Sequence, residues 1–161
     1  MGNGYMKGNE NVYFRARKEA AKYDKTLYSR AGAAESLGVS VSTLADYELG
    51  ITKVVPVDKV VLMSEMYNCP EFKNSYCKKE CPIGKTMPIA TEVKNIEGVA
   101  LRLLRESDKI RKLANTFAEI AVDGTVTHEN KLALKEVLKE IDELAVVLSE
   151  AKLVGEKKLK G

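Results

Sequence analysis

Apolar positions between Arg30 and Gly50 recur at the three- and four-residue intervals of short amphipathic helices. Ala33, Ala34 and Leu37 share one face of a helix over Arg30 to Leu37, and Gly38 follows where a tight exit needs positive φ. A second helix then starts at Ser40, whose hydroxyl can accept a backbone N–H of the next turn. Val39 and Leu44 have the spacing of a hydrophobic staple. Leu44 and Tyr47 form the apolar stripe of this helix, which leaves Val41, Ser42, Thr43, Ala45 and Asp46 on or near the outer face. Gly50 ends it.

The same spacing predicts further helices on both sides. Upstream, Asn9 or Asn11 caps a helix to about Tyr23 with an interrupted stripe of Val12, Tyr13 or Phe14, Ala16, Ala20 and Tyr23. Downstream, Pro56 opens a helix whose face is Val57, Val60, Val61, Ser64 and Tyr67, widened by Leu62 and Met66. Pro70, Pro82, Gly84 and Pro88 then break the pattern around a short helix over Glu71 to Lys79. Two long stripes follow. Val93, Ile96, Val99, Leu103, Ile110, Leu113, Phe117 and Ile120 form one, and Leu134, Val137, Ile141, Leu144, Leu148 and Ala151 the other. Asp123 to Val126 separates them and Thr127 caps the second, which predicts an antiparallel, coiled-coil-like hairpin.

The expected fold is therefore all-α: a compact unit of four to five helices followed by a long antiparallel helical hairpin. Its expected divisions are a flexible tail at 1–8, a helical domain at 9–68, a Cys/Pro-rich linker at 69–88, and a hairpin with a basic tail at 89–161. A chain of 161 residues, 45% hydrophobic, suffices for one or two such units with ordinary cores. No apolar run approaches a membrane span, and the Gly- and Asn-rich start lacks the apolar core of a secretory signal, so a cytoplasmic location is expected. A two-helix unit has little core of its own, so the hairpin stripe must pack on the N-terminal domain, a second copy or another protein.

Two short helices joined by a glycine turn make a helix-turn-helix unit. Ala33-Ala34-Glu35-Ser36-Leu37-Gly38-Val39-Ser40, Ser42-Thr43-Leu44 and Tyr47-Glu48-Leu49-Gly50 resemble the phage Cro and repressor proteins and their bacterial relatives, the xenobiotic-response-element-type regulators. The likeness covers about residues 12 to 68. It implies a sequence-specific binder of double-stranded DNA, a transcriptional regulator of repressor type; a homodimer is expected separately, from the apolar stripe of the C-terminal hairpin and from the weak reading of a single half-site. In that pattern Val41, Ser42, Thr43 and Asp46 face base edges, Arg30 and Lys53 meet phosphates, and Arg17 pairs with Glu48. The segment Asp24 to Tyr28 lengthens a link that is a tight turn in compact members of the family.

Charge and side-chain chemistry qualify this expectation. The net charge of +3 is mild for a nucleic-acid binder, so affinity must come from a local face. Between Ser40 and Glu48 stands no Arg, Lys, Asn or Gln, the side chains that make bidentate contacts to purines. The hydroxyls of Ser42 and Thr43, the methyls of Val41 and the carboxylate of Asp46 remain. Modest discrimination follows, and with it a rival expectation of a protein-interaction or scaffold role on a helix-turn-helix fold.

All three cysteines fall in the linker as C-x7-C-x3-C, with Cys77 and Cys81 one helical turn apart among Lys78, Lys79 and Lys85. Cys69, Cys77 and Cys81 are the candidate zinc or iron–sulfur ligands, or redox-responsive thiols, of a metal- or thiol-responsive regulator. They are one short of the usual four ligands and lack the C-x2-C pairing, and the single His128 lies far along the chain, so reduced structural cysteines are the other reading and no cofactor is the base expectation. The Cys–Pro linker around Cys81-Pro82-Ile83-Gly84 is similar to linkers of other helix-turn-helix proteins, a likeness that implies no mechanism. Asp123-Gly124-x-Val126 is similar to part of a calcium-binding EF-hand loop, but Glu119, Ala121 and Asn130 lack the carboxylate set that calcium needs. No phosphate-cradling glycine loop, zinc-protease helix or nucleophile elbow is present, so neither enzymatic activity nor a small-molecule substrate is expected.

Overall fold

The computed structural model describes residues 11–122, 126–128 and 130–159. Among these every regular element is helical: α1 Val12–Ala20, a 3-10 helix Lys25–Tyr28, α2 Arg30–Leu37, α3 Val41–Leu49, α4 Val57–Met66, α5 Glu71–Lys79, a second 3-10 turn Gly84–Thr86, α6 Ile96–Val122 and α7 Asn130–Leu159. The expected tail at 1–8 and most of the Asp123 to Val126 turn lie outside the described residues. Among the described residues no helix is long and apolar enough to cross a membrane.

Local capping sets the boundaries of the first helices. The Asn11 side chain accepts from the Tyr13 N–H and donates to the Tyr47 carbonyl at 3.1 Å, so one residue starts α1 and ties it to α3. Ser29 caps α2 and Ser40 caps α3, each accepting an N–H three residues on, while Gly38 and Gly50 close the two helices in the left-handed region at φ 62° and 70°. α1 stops at Ala20, short of Tyr23; Val12 and Tyr23 of the expected stripe are exposed, and Ala16 with Arg17 holds the buried face.

The expected extra link from Asp24 to Tyr28 is itself built. Asp24 caps the 3-10 helix by accepting from the Thr26 N–H, and this turn drives Leu27 fully into the core. Leu27 packs with Ala33, Ala34, Leu37, Leu44, Tyr47, Val60 and Met63 in one core cluster. In α4 the buried face is Val60, Met63 and Ser64, continued by Tyr67, while Val57, Val61 and Leu62 face outward. The core continues past residue 68: Cys69 and Phe72 belong to it, and the Phe72 ring meets Tyr13 edge-on at 5.1 Å between centroids.

α6 and α7 pack against each other, with Thr127 Oγ1 accepting from the Asn130 N–H at the start of α7. The C-terminal half of α7 turns a second face, Val147, Glu150, Leu153 and Val154, into the protein, whereas Leu148, expected inside, is half-exposed. This half is tied to the segment around α5. Asn68 donates to the Lys157 carbonyl at 3.1 Å, Lys157 pairs with Glu71 at 3.1 Å, and Ser149 accepts from the Ala90 N–H at 3.0 Å. Glu150 receives both Lys94 and Arg102, closing α7 onto α6 and the segment that leads into it. Burial pushes the Glu150 carboxyl up, but the bonds from Lys94 and Arg102 together outweigh it and hold the group below the ordinary glutamate range.

Candidate nucleic-acid interface

α3 is anchored from behind. Leu44, Tyr47 and Glu48 are buried, and Glu48, only 1% exposed, is the centre of an ion network. Arg17 grips it with two parallel bonds, Nε to Oε1 at 2.5 Å and Nη2 to Oε2 at 3.1 Å. The remaining face of that guanidinium donates through Nη1 to the Leu27 carbonyl at 2.9 Å and the Tyr28 carbonyl at 3.2 Å. Arg30 Nε adds a third bond to Glu48 Oε2 at 2.8 Å. One carboxylate therefore joins α1, the 3-10 helix, α2 and α3. Tyr67 lies close by with a hydroxyl that bonds to nothing among the described residues; burial first, then the Glu48 charge, raises its pKa against the opposing pull of Arg17.

The turn between α2 and α3 is fixed by backbone geometry. Gly38 N–H bonds to the Glu35 carbonyl and Val39 N–H to the Ala34 carbonyl, and Lys59 of α4 reaches across to the Leu37 carbonyl at 3.0 Å. That lysine satisfies a terminal carbonyl of α2 and carries a charge in the same place. Nothing in the sequence around Lys59 marks it for this role, because its partner lies 22 residues away.

The opposite face of α3 is open. Val41 is 49% exposed and Ser42 is exposed, with Thr43 and Asp46 half-buried beside them. Three hydroxyls gather at the N-terminus: Ser40 Oγ accepts from the Thr43 N–H at 3.0 Å, lies 2.9 Å from Ser42 Oγ, and lies 2.7 Å from Thr43 Oγ1. Ser40 was legible as a cap; its hold on both neighbouring hydroxyls was not. Lys53 stands exposed in the loop after α3, with no ion-pair partner among the described residues. Arg30, expected at a phosphate, spends its Nε on Glu48, and its two terminal nitrogens carry no bond among the described residues.

Cys69 enters the core two residues before α5, and Cys77 lies near the far end of that helix, roughly 9 Å along from Glu71 at the helical rise. Among the described residues no three His, Cys, Asp or Glu side chains stand together as a metal ion would need. Burial pushes the Cys69 thiol up to about 11, opposite to what a redox-responsive thiolate requires. Cys77 has a packing role that the sequence hides. A Cβ on Gly84 would sit 2.2 Å from the Cys77 carbonyl oxygen, so the Cys81 to Gly84 segment folds back flat against α5 only because residue 84 is glycine. His128 is exposed just before α7.

No protein-family model, curated protein or solved structure matches this chain.

Proposed function

We propose that the protein binds double-stranded DNA through the N-terminal residues of α3 and acts as a transcriptional regulator of the Cro/repressor kind. The observation that supports this most is the pairing of a rigid back with an open front. A buried carboxylate and two arginines lock α3 to α1 and α2, while at its first turns Val41 and Ser42 stand exposed with Thr43 and Asp46 half-buried beside them. A recognition helix needs both properties, because base edges discriminate only against side chains whose position is fixed. Lys53 and the free end of Arg30 flank α3 and supply phosphate contacts, which position the protein without reading sequence.

The regulator works as a dimer in this proposal. Two packed helices leave their shared stripe partly open, with Ile110, Phe117 and Ile141 all more than a third exposed, so a second hairpin has apolar surface to cover. Coupling two weak readers through it raises the effective concentration of the second site. One observation favours the alternative of a protein-interaction module. Ile51, Val54, Val57 and Val61 form exposed apolar positions after α3 and on α4, where a DNA-facing surface gains nothing from them.

The experiment is a salt titration of duplex binding by fluorescence anisotropy. Phosphate contacts impose a steep negative slope of log affinity against log salt. Lys53→Ala is expected to weaken binding to all duplexes alike and to reduce that slope by about one. Absence of binding to any duplex at low salt rejects the DNA reading.

A further inference from the structure

Resting on the DNA reading above, we propose that α3 selects an adenine–thymine pair, and that Ser40 sets this preference by fixing the direction of the Ser42 and Thr43 hydroxyl protons. Ser40 Oγ has one proton and two lone pairs. The Thr43 N–H occupies the first lone pair. Ser42 Oγ at 2.9 Å and Thr43 Oγ1 at 2.7 Å are both within hydrogen-bond distance, and Ser40 can donate to only one of them. The other must donate to Ser40. With all three bonds made, the hydroxyl that receives Ser40's proton keeps its own proton free to point outward. The hydroxyl that donates inward has only lone pairs left to offer.

The exposed end of α3 therefore presents one donor together with acceptors, and both hydroxyls lie against one oxygen, close enough to address a single base. Adenine shows an acceptor at N7 beside a donor at N6, which matches this set. Guanine shows two acceptors, N7 and O6, and one of them goes unmatched because no Arg, Lys, Asn or Gln between Ser40 and Glu48 provides a second proton. The half-exposed Val41 at the first position of α3 adds a methyl surface for the C5-methyl of thymine, which cytosine lacks. Ser40 thus acts as a positioning residue through the hydroxyls it holds.

The test uses the full-length protein and a randomised duplex library, followed by anisotropy on the recovered site. Adenine–thymine pairs are expected at one or two invariant positions of each half-site. At such a position 7-deazaadenine, which lacks the N7 acceptor, is expected to weaken binding roughly tenfold. Uracil in place of thymine is expected to weaken it less, and the uracil effect is expected to vanish in Val41→Ser. Ser40→Gly retains most of the capping energy but frees both protons, so guanine is expected to be accepted at the adenine position with less than threefold discrimination. The modified bases need no protein variant and decide the matter even where Ser40→Gly unfolds. Invariant guanines, or 7-deazaadenine without effect, overturn the proposal. Salt-dependent binding with no base preference also overturns it while leaving DNA binding intact, whereas failure to bind any duplex overturns the DNA reading and this inference with it.

Discussion

Replacing Glu48 by Gln removes one charge from the centre of the molecule while keeping its shape. Arg17 is then a guanidinium 2% exposed, with two carbonyl bonds and no counter-ion, and the one amide oxygen left can accept on the Oε1 side or on the Oε2 side but not on both. Breaking a buried pair by neutralising one partner costs about 3 to 5 kcal/mol, because the surviving charge stays desolvated. For a chain of this size each kcal/mol moves the midpoint of thermal unfolding by about 2 to 4 °C, so a fall of roughly 6 to 20 °C is expected. The complementary double replacement, Arg17→Met with Glu48→Gln, removes both charges, and is expected to recover more than half of the loss. Thermal unfolding followed by circular dichroism, combined with urea titration of the four proteins of the cycle, measures both quantities. High salt is expected to leave the difference nearly unchanged, since a buried pair is little screened. A loss below about 1 kcal/mol in Glu48→Gln, or a double variant less stable than both singles, refutes the view that this network fixes α3.

Glu150 predicts an acid dependence with a definite sign. Its folded pKa lies below the ordinary 4.5, so its contribution is fully present above that value and is lost as pH falls through the folded pKa; thermal midpoints recorded against pH are expected to fall less steeply in this range for Glu150→Gln than for the native protein. Gly84→Ala is expected to cost about 1 to 3 kcal/mol, read by urea unfolding, because the new methyl meets the Cys77 backbone, which is part of α5. Alkylation followed by mass spectrometry at mildly alkaline pH is expected to label Cys77 and Cys81, both half-exposed, well before the buried Cys69, whose thiol is held at about 11. Sedimentation equilibrium of the full chain is expected to show a dimer that Ile110→Glu with Phe117→Glu converts to monomer; a native protein monomeric at high concentration removes the dimer from the proposal.

The sequence by itself determined where most helices begin and end. Ser29, Ser40, Gly38 and Gly50 act on groups within four residues of themselves, so their effect needs no knowledge of the fold, and the helix over Glu71 to Lys79 between its prolines was legible for the same reason. The all-helical class and the long hairpin followed from apolar spacing alone. Which face each helix buries was decided by tertiary structure. Val57 and Val61 suit a buried stripe as well as Met63 does, and only the position of the core beside α4 selects Met63. Leu148 gave way to Val147 and Glu150 because α7 serves two neighbours at once, α6 and the segment around α5, and a single stripe cannot face both. Leu27 escaped notice because one apolar residue in a four-residue turn has no period. Charges were the least legible of all. The Arg17–Glu48 pair was expected only through the family resemblance and Arg30's bond to it was not, while Glu150 looks in the sequence like the solvated carboxylates around it and becomes a buried ion centre only where Lys94 and Arg102, distant in the chain, converge on it. Burial of a charge depends on partners brought from afar, and no local pattern encodes that meeting.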